Sequence, residues 1–200
     1  MSDKYHHGNL RQALIDAGIK IINEKGEENL SLRKVASLCN VSHAAPYAHF
    51  KDKDELIEAI KSSVTEQFTE TLTEAVEGAE NAECAILEMG KSYVLFFIKN
   101  PDYFKFLFAG QNIIAHLNTG KQYAEDYPPF VLLKDTYKKW LKETGVRKSK
   151  KEQEAELLNI WASAHGLAAI ACMSGVETTI DWEKELSAGL LSAKKRDGEI

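Results

Sequence analysis

A chain of 200 residues, 44% apolar and 28% charged, is large enough to bury a sizeable core, and its net charge of −5 gives it no overall attraction for phosphate. No apolar run approaches the roughly 20 residues needed to span a bilayer, and the opening MSDKYHHGNL has neither an apolar signal core nor a cleavage pattern, so a cytoplasmic protein with no membrane partner is expected. Cys39, Cys84 and Cys172 are too few and too scattered for a disulfide framework or a zinc site, which leaves them as core residues and leaves neither a metal nor a cofactor to expect.

Taken in chain order, the sequence predicts helices and no convincing alternating strand, so the expected fold class is all-α. Asn9 with Gln12 resembles a capping box, and Leu10, Leu14, Ala17, Ile21 and Ile22 form one apolar face until Gly26 ends the first helix. Ser31 caps a second, short helix whose Leu32, Val35, Ala36 and Cys39 recur at helical spacing while Arg33 and Lys34 stay in water. Asn40 tolerates the left-handed conformation that ends this helix, and Ser42 is placed to cap the next, although Pro46 would disturb a regular turn there. Asp52 with Glu55 is another capping pair. Leu56, Ile60, Val64, Phe68, Leu72 and Val76 then repeat every four residues, a long helix leading out of the N-terminal module until Gly78.

A helix from Ala82 to Lys99 stops at Asn100-Pro101, and Pro101 opens a short helix carrying Tyr103, Phe104, Phe106, Leu107 and Phe108. Residues 113–117 read either as a short helix or as loop, and NTGKQYAEDYPP reads as loop. Helices return at Phe130–Glu143, Lys150–Ser174 and Asp181–Ala193. The expected division is a helix-turn-helix module of three helices over residues 1–54 and a helical body over 55–200.

Helix, tight turn, helix is how a small domain presents a helix to the DNA major groove. The run NVSHAAPYAHFKDKDEL resembles the recognition helix and following helix start of TetR-type transcriptional regulators, and YHHGNLRQALIDAGIKIINEKGEENLSLRKVA resembles their first two helices, so the resemblance covers roughly residues 5–62. Asn40 stands where the family usually has glycine. A second signal, WASAHGLA with Trp161, His165 and Gly166, resembles the C-terminal domain type of TetR-type proteins named for its Trp-His-Gly motif. The resemblance implies an all-helical C-terminal domain that encloses a ligand pocket and dimerises through its last two long helices.

Charge distribution fits a nucleic-acid partner despite the acidic total. Residues 64–200 carry 21 acids against 16 bases, whereas residues 1–63 balance at 9 of each, and Arg33, Lys34 and Lys51 between Asn29 and Lys51 face no acidic residue in that stretch. In the recognition segment, Ala44 and Ala45 give small apolar surface for thymine methyls, and His43 can donate or accept at a base edge. Tyr47, His49 and Lys53 suit phosphate contacts, as do Arg33 and the hydroxyls of Ser31 and Ser42. Tyr47 and Phe50 could instead pack the small core; for Phe50 core is the expectation. Tyr5, His6 and His7 could be an arm reaching DNA or an unordered tail.

Tyr93, Phe96, Phe97, Phe104 and Phe108, with His116 and His165 as polar groups, are the candidate wall of an apolar ligand pocket, although for each ring taken singly core is the expectation, and for His165 a hydrogen-bonded structural role. Leu157, Trp161, Ala164 and Ala168 form a stripe with small residues that suits close helix approach, and with Leu186 and Leu190 it is the candidate dimer face. No catalytic constellation is expected: Cys172 and His165 lie two helical turns, roughly 10 Å, apart, and Asp181 supplies no third partner at useful spacing. The function expected is a ligand-responsive transcriptional repressor that binds an inverted repeat of double-stranded DNA as a homodimer and is released by a small apolar or aromatic effector. The alternative is a helix-turn-helix protein that acts through a protein partner with a vestigial ligand domain.

Overall fold

The computed structural model describes residues 10–108 and 113–187, and all its regular elements there are helical. Helix α1 spans Leu10–Lys25, α2 Leu32–Leu38, α3 Lys53–Glu77, α4 Ala82–Lys99, α5 Pro101–Phe108, α6 Pro128–Thr144, α7 Lys150–Ala171 and α8 Trp182–Ser187; single 3₁₀ turns occupy Glu27–Asn29 and Ala45–Ala48. Asn9, Tyr5, His6, His7, Leu190 and Leu191 lie outside the described residues.

The punctuation follows local chemistry. The Ser31 hydroxyl accepts from the Lys34 N–H at 3.2 Å, and Asn40 takes φ 53°, turning the chain out of α2. Asp52 accepts from the Glu55 N–H at 3.0 Å while the Glu55 carboxylate takes the Lys51 N–H, so the start of α3 is bonded in both directions. Gly26 sits at φ 81°, where a Cβ would lie 2.5 Å from the Glu28 carboxylate. Ser149 and Glu152 form a full capping box that opens α7. The loop alternative holds for residues 113–118, and α8 ends its described part at Ser187.

One expected element differs in kind. The recognition segment is not an α-helix capped by Ser42 but a four-residue 3₁₀ turn preceded by Ala44, without a side-chain cap. Pro46 gives the reason, since it has no N–H to donate and its ring excludes a preceding α turn. It is buried inside the turn, and its carbonyl accepts from both His49 and Phe50.

Two layers of packing share α3. At its N-terminal end, Leu56, Ile57 and Ile60 close a small core with Leu14, Ile15 and Ile22 of α1, Val35 of α2 and Phe50, which follows the turn. Further along, Val64, Phe68 and Leu72 enter a second core against α4, which also packs on α6 and α7. Phe68 lies at its centre, with ring centroids of Tyr93, Phe96 and Phe97 between 4.8 and 4.9 Å away. Fully burying a side chain of this size stabilises by about 1.5–3 kcal/mol. The α7 residues Leu157, Ala164 and Ala168 are spent on this same core, and Leu186 of α8 is buried within the chain as well. Their expected place in a dimer face is therefore corrected, because a side chain already packed on α4 has little surface left for a second chain.

Candidate functional site

The small N-terminal core holds α2 and the Ala45–Ala48 turn with one side bare. Arg33, Ser42, His43, Ala44 and Tyr47 are exposed, Tyr47 to 56%, while Ser31, Ala45, His49 and Lys53 are half-buried along the rim. A ring that packed the core would not stand in solvent, so Tyr47 is free to contact a partner, whereas Phe50 is core, with the Arg11 guanidinium 5.3 Å above its ring. His43 Nε2 lies 3.3 Å from the Ser37 hydroxyl, which ties the turn to the end of α2. Lys53 reaches back to the Glu27 carbonyl at 3.4 Å. The nine residues singled out from the sequence are thus all at least partly exposed.

In the larger body, Tyr93, Phe96, Phe97, Phe104, Phe108 and His165 come together as expected, with His165 ring centroid 4.9 Å from Phe104 and 4.7 Å from Phe108. The Tyr93 hydroxyl meets His165 Nδ1 at 2.8 Å. Burial lowers the His165 pKa and favours its neutral form; burial first, then the nearby Tyr127 hydroxyl, raises the Tyr93 phenol, with the Trp161 side chain partly offsetting the rise.

His116 does not join this group. It lies in the loop before α6, where its backbone N–H and Nδ1 reach Asp126 at 2.9 and 2.7 Å and its ring stacks on Tyr123 at 3.8 Å. Asp126 in turn pairs with Lys134 Nζ at 2.9 Å, and the Lys134 side chain is 0% exposed. Burial would raise the Asp126 carboxyl, but the hydrogen bonds from Lys134 and His116 outweigh it and hold it well below the usual carboxylate range. The Lys134 ammonium also donates to the His116 and Lys121 carbonyls, so the group pins the loop to α6.

The open space lies beside the predicted rings. An apolar recess is lined by Ile86, Met89, Gly90 and Tyr93 of α4, Tyr127 and Pro129 at the start of α6, Phe130 and Leu133, and Ile160, Trp161 and Ala164 of α7. Only Tyr93 of the predicted wall lines it, because Phe97 is fully enclosed and acts as core. Trp161, expected at a dimer face, lines the recess instead, its ring 5.2 Å from Phe130. Tyr127 and Phe130 were missed. Their signal was present in YPPF, where two prolines fix the entry to a helix and force the preceding Tyr into extended backbone.

Among the described residues, no group of three or more His, Cys, Asp or Glu could hold a metal, and no helix is long and apolar enough to cross a membrane. The geometry is that of a helix-turn-helix reader on a helical body. Residues 14–60, which make up most of the N-terminal module, match the family described as bacterial regulatory proteins, tetR family. A 71-residue stretch is 39% identical to the HTH-type nicotine-responsive transcriptional repressor HdnoR of Paenarthrobacter nicotinovorans, covering 36% of this chain and 37% of that protein. The chain thus matches little more than a third of that relative's length. The whole fold is similar to a protein of unknown function from Rhodococcus sp. RHA1, with a TM-score of 0.71 at 23% identity over 94% of this chain and 95% of that one. It is similar also to a TetR/AcrR-family regulator from Thermobifida fusca YX-ER1, with a TM-score of 0.68 at 14% identity over 94% and 100% of the two chains. These proteins and the family model describe DNA-binding regulators, not enzymes, wherever they carry a functional description.

Proposed function

We propose that this chain is a ligand-responsive transcriptional repressor that binds an inverted-repeat operator as a homodimer and is released by a small apolar or aromatic effector. The observation that carries the reading is the bare surface of the reader, with Tyr47 and His43 in solvent above a closed core. His43, Ala44 and Ala45 are assigned to base edges, and Ser31, Arg33, Ser42, Tyr47, His49 and Lys53 to phosphates. The repressor named among the relatives supports the sign of the regulation. We assign the C-terminal body to the domain type named for Trp-His-Gly: Trp161 lines the recess, His165 holds Tyr93, and a Cβ on Gly166 would meet open space.

Dimerisation is assigned to the outward side of α7. Leu158 and Ile170 are 49% and 44% exposed, Ala155 and Ala162 lie on the outward side with them, and Met173, 55% exposed, follows just beyond the helix end. An apolar face with small residues and an outward glycine lets two copies of one helix approach closely about a two-fold axis. Two readers so related would contact half-sites about one helical turn apart or somewhat more. An effector that prefers a conformer with the readers out of register weakens DNA binding, and DNA weakens the effector by the same factor.

The test is selection of bound fragments from a random duplex library at low and moderate salt. Enrichment of an inverted repeat, with affinity falling steeply with salt, is expected. A folded, dimeric protein that enriches nothing would move the function to a protein partner.

A further inference from the structure

The recess has one feature that a ligand would resolve. The Tyr127 hydroxyl is buried and has no completed hydrogen bond, although Thr65 stands beside it. The neighbouring Tyr93 hydroxyl is already engaged by His165 Nδ1 at 2.8 Å. A phenol can donate one hydrogen bond, so one donor remains unspent on a tyrosine that lines an otherwise apolar recess. Buried polar groups are nearly always paired, and an exception marks where a missing partner belongs.

The lining also selects on charge and size. Among the described residues that line the recess none is charged, so a carboxylate or an ammonium would enter without a counter-charge, at far greater desolvation cost than a neutral acceptor. The recess has a cavity volume of about 30 Å³, and about 400 Å³ of unfilled space when its solvent-open mouth is included. One ring packed against the Trp161 and Phe130 walls requires Met89, unbranched and flexible, to move aside.

We propose that the recess takes a small, uncharged, one-ring ligand bearing a hydrogen-bond acceptor, to which the Tyr127 hydroxyl donates. The inference rests on the effector reading of the C-terminal body and names the ligand class for it.

The test titrates the full-length protein at neutral pH with acetophenone, cumene, benzoate and benzylammonium, read by Trp fluorescence and ligand-observed NMR, for wild type and Tyr127→Phe. Acetophenone is expected to bind about three- to tenfold more tightly than cumene, the worth of one hydrogen bond. Tyr127→Phe is expected to weaken acetophenone to the level of cumene or below it and leave cumene unchanged. Both ions are expected to bind at least about tenfold more weakly than acetophenone. The ligand class is overturned if either ion equals acetophenone, if wild type does not distinguish acetophenone from cumene, if the preference survives in Tyr127→Phe, or if no probe binds. The wild-type comparison of four probes stands even if the variant fails to fold. Release of operator DNA is measured separately. Acetophenone binding without any change in DNA affinity supports the ligand class and sinks the effector reading, whereas DNA release by benzoate alone does the reverse.

Discussion

Removing the Asp126 carboxylate should be among the most damaging single changes outside the apolar core. Its Oδ2 is the charged partner of the Lys134 ammonium at 2.9 Å, and both side chains are 0% exposed. In Asp126→Ala the ammonium keeps two carbonyl acceptors but loses its counter-charge. Breaking a buried pair in this way costs about 3–5 kcal/mol. For a domain of this size each kcal/mol lowers Tm by about 2–4 °C, so a fall of about 6–20 °C is expected. Adding Lys134→Met removes the stranded charge and fills the same space, and the double variant should return to within about 1–2 kcal/mol of wild type. Its residual loss comes from the His116 donors, which stand on a ring 39% exposed and can turn to water. Urea unfolding of the four proteins in the cycle yields the coupling energy, expected at about 2 kcal/mol or more. A single variant within 1 kcal/mol of wild type, or a double variant no better than Asp126→Ala, would refute the claim that the uncompensated ammonium sets the cost.

Tyr47→Ala should weaken DNA binding across all sequences, whereas His43→Ala should relax base preference, so equal losses on selected and random duplexes for both would sink the division between phosphate and base contacts. Gly18→Ala would place a Cβ 2.4 Å from Ile60 Cδ1 where α1 crosses α3, and is expected to destabilise by about 1–2 kcal/mol, with Ile60→Val restoring much of it; thermal melts check both. Ala162→Arg on the outward face of α7 should convert the dimer to monomer and remove operator binding while leaving Tm of the chain little changed, as read by sedimentation. Acidification should weaken the fold in two stages. Burial lowers the folded-state pKa of His165, so its contribution is complete above the unfolded value near 6.5 and is lost as pH falls below it. Asp126, also lowered, keeps its contribution above the ordinary carboxylate range and loses it as pH falls further. Urea midpoints from pH 7 to 3 should show both arms, and His165→Asn should flatten the first.

Much of this architecture was legible because helix ends are set locally. Ser31, Asn40, Asp52 and the Asn100-Pro101 pair stop and start helices through their own backbone preferences, and the structure places those ends at the expected residues. The stripe from Leu56 to Leu72 was equally legible, since its opposite face is polar and one direction alone can be buried. Helix α7 defeated the same method: it carries apolar residues around most of its circumference, so spacing cannot say whether Leu157 or Leu158 turns inward. The recognition segment was misjudged because a single proline, not the cap before it, decides the turn. His116, Asp126 and Lys134 find each other across a loop, by tertiary placement that no local rule contains.

The continuity of α3 from the reader into the larger body has a consequence for how such a chain can be altered. Lys53–Glu77 is one unbroken helix, closing the small core at one end and the large core at the other. Each residue inserted between Ile60 and Val64 would advance the axis by about 1.5 Å and rotate everything beyond it by about 100°. Exchange of readers between chains of this kind is therefore governed by angular phase: additions or deletions of about seven residues nearly restore the original facing, and all shorter ones point the DNA-contacting surface elsewhere.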